Sequence, residues 1–187
     1  MRSRTAEWFL CRIKYDKTME DGLQKKVTEQ FVVDALSFTE AEARIMEQMA
    51  SYISGEYDIQ EIDRAPYKEV FFMQYAEKVL DNHSEELEAA LRKKDKKAFK
   101  KWDDKKLDDV LEMTDSKWYK AKLQFITIDE RTAKEKKSNV YYLVNGTSLE
   151  SARKNIDDVM SGTMIDYTIA ALSETPIVDV FEYQSNK

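Results

Sequence analysis

Trp8-Phe9-Leu10-Cys11-Arg12-Ile13-Lys14-Tyr15 is answered much later in the chain by Trp118-Tyr119-Lys120-Ala121-Lys122-Leu123-Gln124-Phe125. Both octets run aromatic pair, small residue, basic residue, aliphatic, aromatic, in one order. The correspondence continues outward. Lys25-Lys26 meets Lys136-Lys137, Phe31-Val32-Val33-Asp34 meets Tyr142-Leu143-Val144-Asn145, Ser37 meets Ser148, and Ala41 meets Ala152. Further on, Tyr57 and Ile59 meet Tyr167 and Ile169, Pro66 meets Pro176, and Val70-Phe71 meets Val180-Phe181. The offset stays at 110 or 111 over about sixty positions, which marks an internal duplication.

Each copy reads as a ββαβ unit. In the first octet Phe9, Cys11, Ile13 and Tyr15 alternate with Arg12 and Lys14, the period of a strand with one buried and one wet face. Asp21-Gly22 signals a hairpin into a second strand around residues 26–35. Ser37 with Glu40 forms a capping box, and Phe38, Ala41, Ile45 and Met49 follow at helical spacing. In the second copy the box is assigned to Thr147 and Glu150, followed by Leu149, Ala152, Ile156 and Met160. A third strand passes through Tyr57, Ile59 and Ile62, is interrupted at Pro66, and resumes at Val70 to Phe72; its counterpart spans residues 167–181 around Pro176.

The expected fold is therefore α+β: two ββαβ repeats, 1–72 and 117–187, related by a pseudo-twofold axis. They carry antiparallel sheets with helices on one side and share one compact domain, because half a chain of this size buries little surface alone. Residues 73–116 read as a charged helical linker insertion, with Ala76, Val79, Leu80, Leu87, Leu91, Leu107 and Leu111 at helical spacing and Asn82 as a cap. Residues 92–106 hold nine basic and three acidic residues, a charge of 9 − 3 = +6. The whole chain carries −6, so the remainder carries −12.

Composition narrows the chemistry. One cysteine, Cys11, and one histidine, His83, exclude a Cys/His zinc cluster and a disulfide framework. Four scattered glycines supply no phosphate-cradling loop. Residues 1–7 are polar, and no apolar run approaches a membrane span. The reading is a cytoplasmic protein without cofactor or metal.

Two basic features invite nucleic acid: Lys25, Lys26, Lys136 and Lys137 at equivalent places, and the linker with Lys96, Lys97, Lys100 and Lys101 beside Phe99 and Trp102. Lysines would contact phosphates and the aromatics would stack on bases. Two plainer readings stand beside this one. Lysines protect strand edges, and charge runs are commonly solvated helix faces whose aromatics anchor the helix. Trp8 and Trp118, on the opposite strand face from the apolar alternation, either form a stacking platform or cover the sheet's second face. Asp129, Glu130 and Glu135-Lys136-Lys137 are too closely spaced for a nuclease metal site on paired strands. Cys11, aligned with Ala121, reads as a small core residue.

The segments VVDALSFTEAEARI (32–45), ISGEYDI (53–59) and GTMIDYTIAALSET (162–175) resemble an uncharacterised domain-of-unknown-function family of gut Bacteroidota and their phages. The resemblance covers both repeats, makes the linker an insertion, and brings no catalytic residues. By analogy with phage genes it implies nucleic-acid transactions. The expectation is a non-catalytic binding protein for single-stranded DNA or RNA. The alternative is a protein-interaction or assembly module, as a subunit or a homo-oligomer, without nucleic-acid or membrane contact.

Overall fold

A computed structural model describes residues 6–72 and 116–183. The first repeat forms β1 (Glu7–Thr18), β2 (Gln24–Ala35), α1 (Phe38–Tyr52), β3 (Tyr57–Arg64) and β4 (Tyr67–Phe71). The second forms β5 (Lys117–Ile128), β6 (Glu135–Gly146), α2 (Leu149–Met160), β7 (Asp166–Glu174) and β8 (Ile177–Phe181). The fold is α+β, and the like order of elements in the two repeats fits the internal duplication.

Two units result, and they differ from the repeats at their ends. Met1–Lys68 joins Pro176–Lys187 in the first unit, and Glu69–Thr175 forms the second. The first sheet has the order β3-β1-β2-β8; the second has β4-β6-β5-β7. Each sheet is thus completed by the last strand of the other repeat. The segment after Pro66, expected to resume the third strand, is instead a separate strand, β4, in the second sheet. The first sheet is mixed rather than antiparallel, because β8 runs parallel to β2, with Gln30 opposite Ile177 and Val33 opposite Phe181. A two-residue hairpin at Ala65-Pro66 or Thr175-Pro176 is disfavoured: a type I′ turn needs positive φ at the second loop residue, which proline cannot adopt, and both primed turns need it at the first, which Ala and Thr resist.

In the first unit, Phe9, Cys11 and Ile13 of β1 and Phe31 and Val33 of β2 meet Ala41, Ile45 and Met49 of α1 in one buried cluster. The second unit repeats it with Tyr119, Ala121, Leu123, Tyr142 and Val144 under Ala152, Ile156 and Met160. Ile59 and Ile62 both reach the first core although three residues apart. A bulge explains it: Arg12 pairs with Glu61 but Ile13 with Ile59, so Gln60 is extra and resets the alternation. Ala170 plays the same part in β7, where Lys122 pairs with Ala171 and Leu123 with Ile169.

Both helices begin on serine. Ser37 Oγ accepts from the Glu40 N–H at 3.2 Å, and the Glu40 carboxylate reaches back to the Leu36 N–H at 2.6 Å. In the second unit the cap is Ser148, accepting from the Ser151 N–H at 3.1 Å, not Thr147 with Glu150. The alignment of Ser37 with Ser148 was the better guide, since a cap is set by where the backbone leaves the strand.

Candidate nucleic-acid interface

Lys25 and Lys26 lie near the start of β2, opposite Lys17 and Asp16 of β1; Lys136 and Lys137 lie on β6, opposite Thr127 and Ile126 of β5. All four are exposed, and successive strand residues point to opposite faces, so each pair flanks its strand. None makes an ion pair among the described residues, whereas nearby Lys17 is held by Glu29 at 2.7 Å. In the first sheet β8 pairs with β2 only from Gln30 to Val33, which leaves the β2 edge beside Lys25 and Lys26 open. That position also suits edge protection.

Each hairpin extends past the third strand of its own repeat, since β3 pairs with β1 no further than Tyr15 and β7 with β5 no further than Ile126, the residue opposite Lys137. Residues 16–26 hold three acidic and three basic side chains; residues 127–137 hold three and four. The arms are two-stranded ribbons with nearly balanced charge. Lys96, Lys97, Phe99, Lys100, Lys101 and Trp102 lie outside the described residues.

The other candidates have structural work. Trp8 and Trp118 are 2% and 4% exposed, so neither ring is open to stack on a base. Tyr57 donates to the Met46 carbonyl at 3.3 Å and Tyr167 to Asp157 Oδ1 at 2.9 Å, each tying the third strand of its repeat to the helix. Asp129 Oδ1 accepts from the Arg131 and Thr132 N–H groups at 3.0 and 2.9 Å, so it organises the β5–β6 turn. These two bonds hold its carboxyl below the usual range, with the Thr132 backbone bond the largest cause. Among the described residues no three His, Cys, Asp or Glu side chains converge to hold a metal ion. Cys11 is fully buried, and desolvation pushes its thiol up to about 12.

The sequence profile of a domain of unknown function matches residues 7–80 and 82–183, spans that begin with the first strand and take in both repeats. The chain belongs to the DUF4494 family. No curated protein matches it. The second matched span of DUF4494 includes residues 82–116, most of the charged linker.

One polar cluster of this DUF4494 chain escaped the sequence reading. Arg44 donates to the Asp34 backbone carbonyl, to Asp34 Oδ1 at 3.2 Å and to Glu40 Oε1 at 2.6 Å, and its guanidinium lies 4.2 Å from the Tyr183 ring centroid. It borders an open hollow of about 190 Å³ with Val33, Gln48 and Phe181. Bonded to two carboxylates and a strand carbonyl, Arg44 ties α1 to the end of β2. The available signal was Asp34 itself, an acid inside the apolar run Phe31 to Ala35. No helix among the described residues is long and apolar enough to cross a membrane.

Proposed function

We propose that the protein is a non-catalytic binding protein whose ligand is single-stranded nucleic acid. The supporting observation is the recurrence of two exposed lysines without ion-pair partners, Lys25-Lys26 and Lys136-Lys137, at equivalent places on two projecting ribbons. Edge protection accounts for a lysine on an open edge; the pair, with one lysine on each face of the strand, would also provide phosphate contacts on both sides of each ribbon. The basic linker, with Lys96, Lys97, Lys100 and Lys101, supplies further charge, and Phe99 and Trp102 supply stacking. A source among gut Bacteroidota and their phages would set this binding in cytoplasmic DNA replication or recombination.

A protein partner is the second reading, favoured by the near-balanced charge of the ribbons and by exposed Met164 and Ile165 just before β7. Fluorescence anisotropy of a labelled single-stranded oligonucleotide, titrated at several salt concentrations, separates the two. If the four strand lysines each neutralise a phosphate, log K falls with log salt with a slope of about −3, from about 0.7 per phosphate. Changing all four to glutamate abolishes that binding. No binding of the wild type at low salt overturns the nucleic-acid reading and leaves the protein partner, to be sought by pull-down.

A further inference from the structure

The fourth strand of the first sheet sets a connection problem that the chain solves in one way only. β3 runs antiparallel to β1, β1 antiparallel to β2, and β8 parallel to β2, so β3 and β8 point in the same direction. A strand that follows β3 and fills the place beside β2 must first return the length of the sheet. Parallel crossovers take about a dozen residues or more. Between β3 and β4 there are two, Ala65 and Pro66. The first repeat is therefore unable to complete its own sheet, and the strand that does so comes from the second repeat. Thr175 and Pro176 leave the same short connection after β7.

The two donated strands bring equivalent anchors. Phe181 of β8 stacks on Phe31 of β2, with centroids 5.9 Å apart and planes at 15°. Phe71 of β4 stacks on Tyr142, the residue aligned with Phe31, at 4.9 Å and 20°. Beyond β8 the Tyr183 N–H donates to Asp34 Oδ1 at 2.8 Å, which latches the donated strand onto β2.

We propose that the edges of β2 and β6 are strand-acceptor sites, each specific for the last strand of the other repeat. The reciprocal donation, rather than the covalent linker, then holds the halves 1–72 and 117–187 together. The duplicated chain is in this sense a strand-exchanged dimer made continuous. The linker raises the effective concentration of each donor strand and is otherwise not needed for assembly.

A specific protease sequence inserted between residues 81 and 82, where one matched span ends and the next begins, tests this on the full chain. After cutting is complete by denaturing electrophoresis, the fragments are expected to co-elute at the mass of the uncut chain. The urea midpoint, independent of protein concentration before cutting, is expected to rise with concentration afterwards, because unfolding has become dissociation. Fragments that separate at micromolar concentration, or lose their strand signal in circular dichroism, overturn the proposal. In the cut protein Phe71→Ala with Phe181→Ala is expected to weaken association at least about tenfold. Co-elution that this pair of changes leaves untouched would show that the halves adhere by other surfaces, and would equally overturn it.

Discussion

Arg44 and Asp34 form a half-buried ion pair at 3.2 Å, and the residues aligned with them in the second repeat, Asn155 and Asn145, keep the contact without the charges. Arg44 donates to the Asp34 backbone carbonyl; Asn155 Nδ2 donates to the Asn145 carbonyl at 3.1 Å. The conserved element is a helix side chain satisfying a strand carbonyl at the point where the chain turns into the helix.

Arg44→Ala is expected to destabilise the protein by about 2–4 kcal/mol, because it leaves a carboxylate whose side chain is 6% exposed without its counter-charge, held only by the Tyr183 N–H among the described residues. Asp34→Asn combined with Arg44→Asn reproduces the pair of the second repeat and should cost about 1 kcal/mol or less. Urea unfolding of Asp34→Asn, Arg44→Asn and the double variant gives the coupling energy. A double variant no better than Arg44→Ala would show that the second repeat's solution does not transfer.

The buried Cys11 thiol should be inert in the folded protein. Burial raises its pKa to about 12, so at pH 9 it stays protonated when folded, while an unfolded thiol of ordinary value 9.0 is half ionised. The raised folded value means that the thiol's contribution to stability is complete below pH 9 and declines above it. A thiol-reactive chromophore should label the native protein at the rate of global opening and the urea-unfolded protein at once.

Ala133, two residues before β6, has φ +52° where Gly22, two residues before β2, has φ +81°. A side chain in the left-handed region is strained, so Ala133→Gly should stabilise the protein by roughly 0.5–1 kcal/mol, the relief exceeding the entropy that glycine loses. Thermal unfolding of the single variant checks the sign.

The Asp129 turn should loosen in acid. Its carboxyl is held low by the Thr132 and Arg131 N–H groups, so the ordering it provides is present above the unfolded value, near 3.8, and is lost as pH falls through the lower folded value. Amide resonances of Arg131 and Thr132 should shift together with that midpoint, and Asp129→Asn should remove the pH dependence.

Much of this architecture was legible because it is local. Period-two alternation placed Phe9, Cys11, Ile13 and Tyr15 on one face, helical spacing placed Ala41, Ile45 and Met49 on another, and the repeat offset joined each to its counterpart. The duplicated lysines were legible as exposed strand residues for the same reason. The bulges at Gln60 and Ala170 showed only as an irregular spacing of Ile59 and Ile62, and of Ile169 and Leu172, which alternation alone leaves unexplained.

Sheet membership was decided by tertiary structure. The short segments Tyr67–Phe71 and Ile177–Phe181 carry the same strand pattern whether they extend the third strand, fold back on it, or leave for another sheet. What decides is pairing between residues far apart in sequence, such as Phe31 with Asp179, together with a two-residue connection too short for a parallel crossover. The Asp34–Arg44–Tyr183 latch was hidden for the same reason, since Tyr183 meets Asp34 only once β8 has been donated. Residue periodicity thus determined what each segment becomes, while the reach of the backbone determined where it goes.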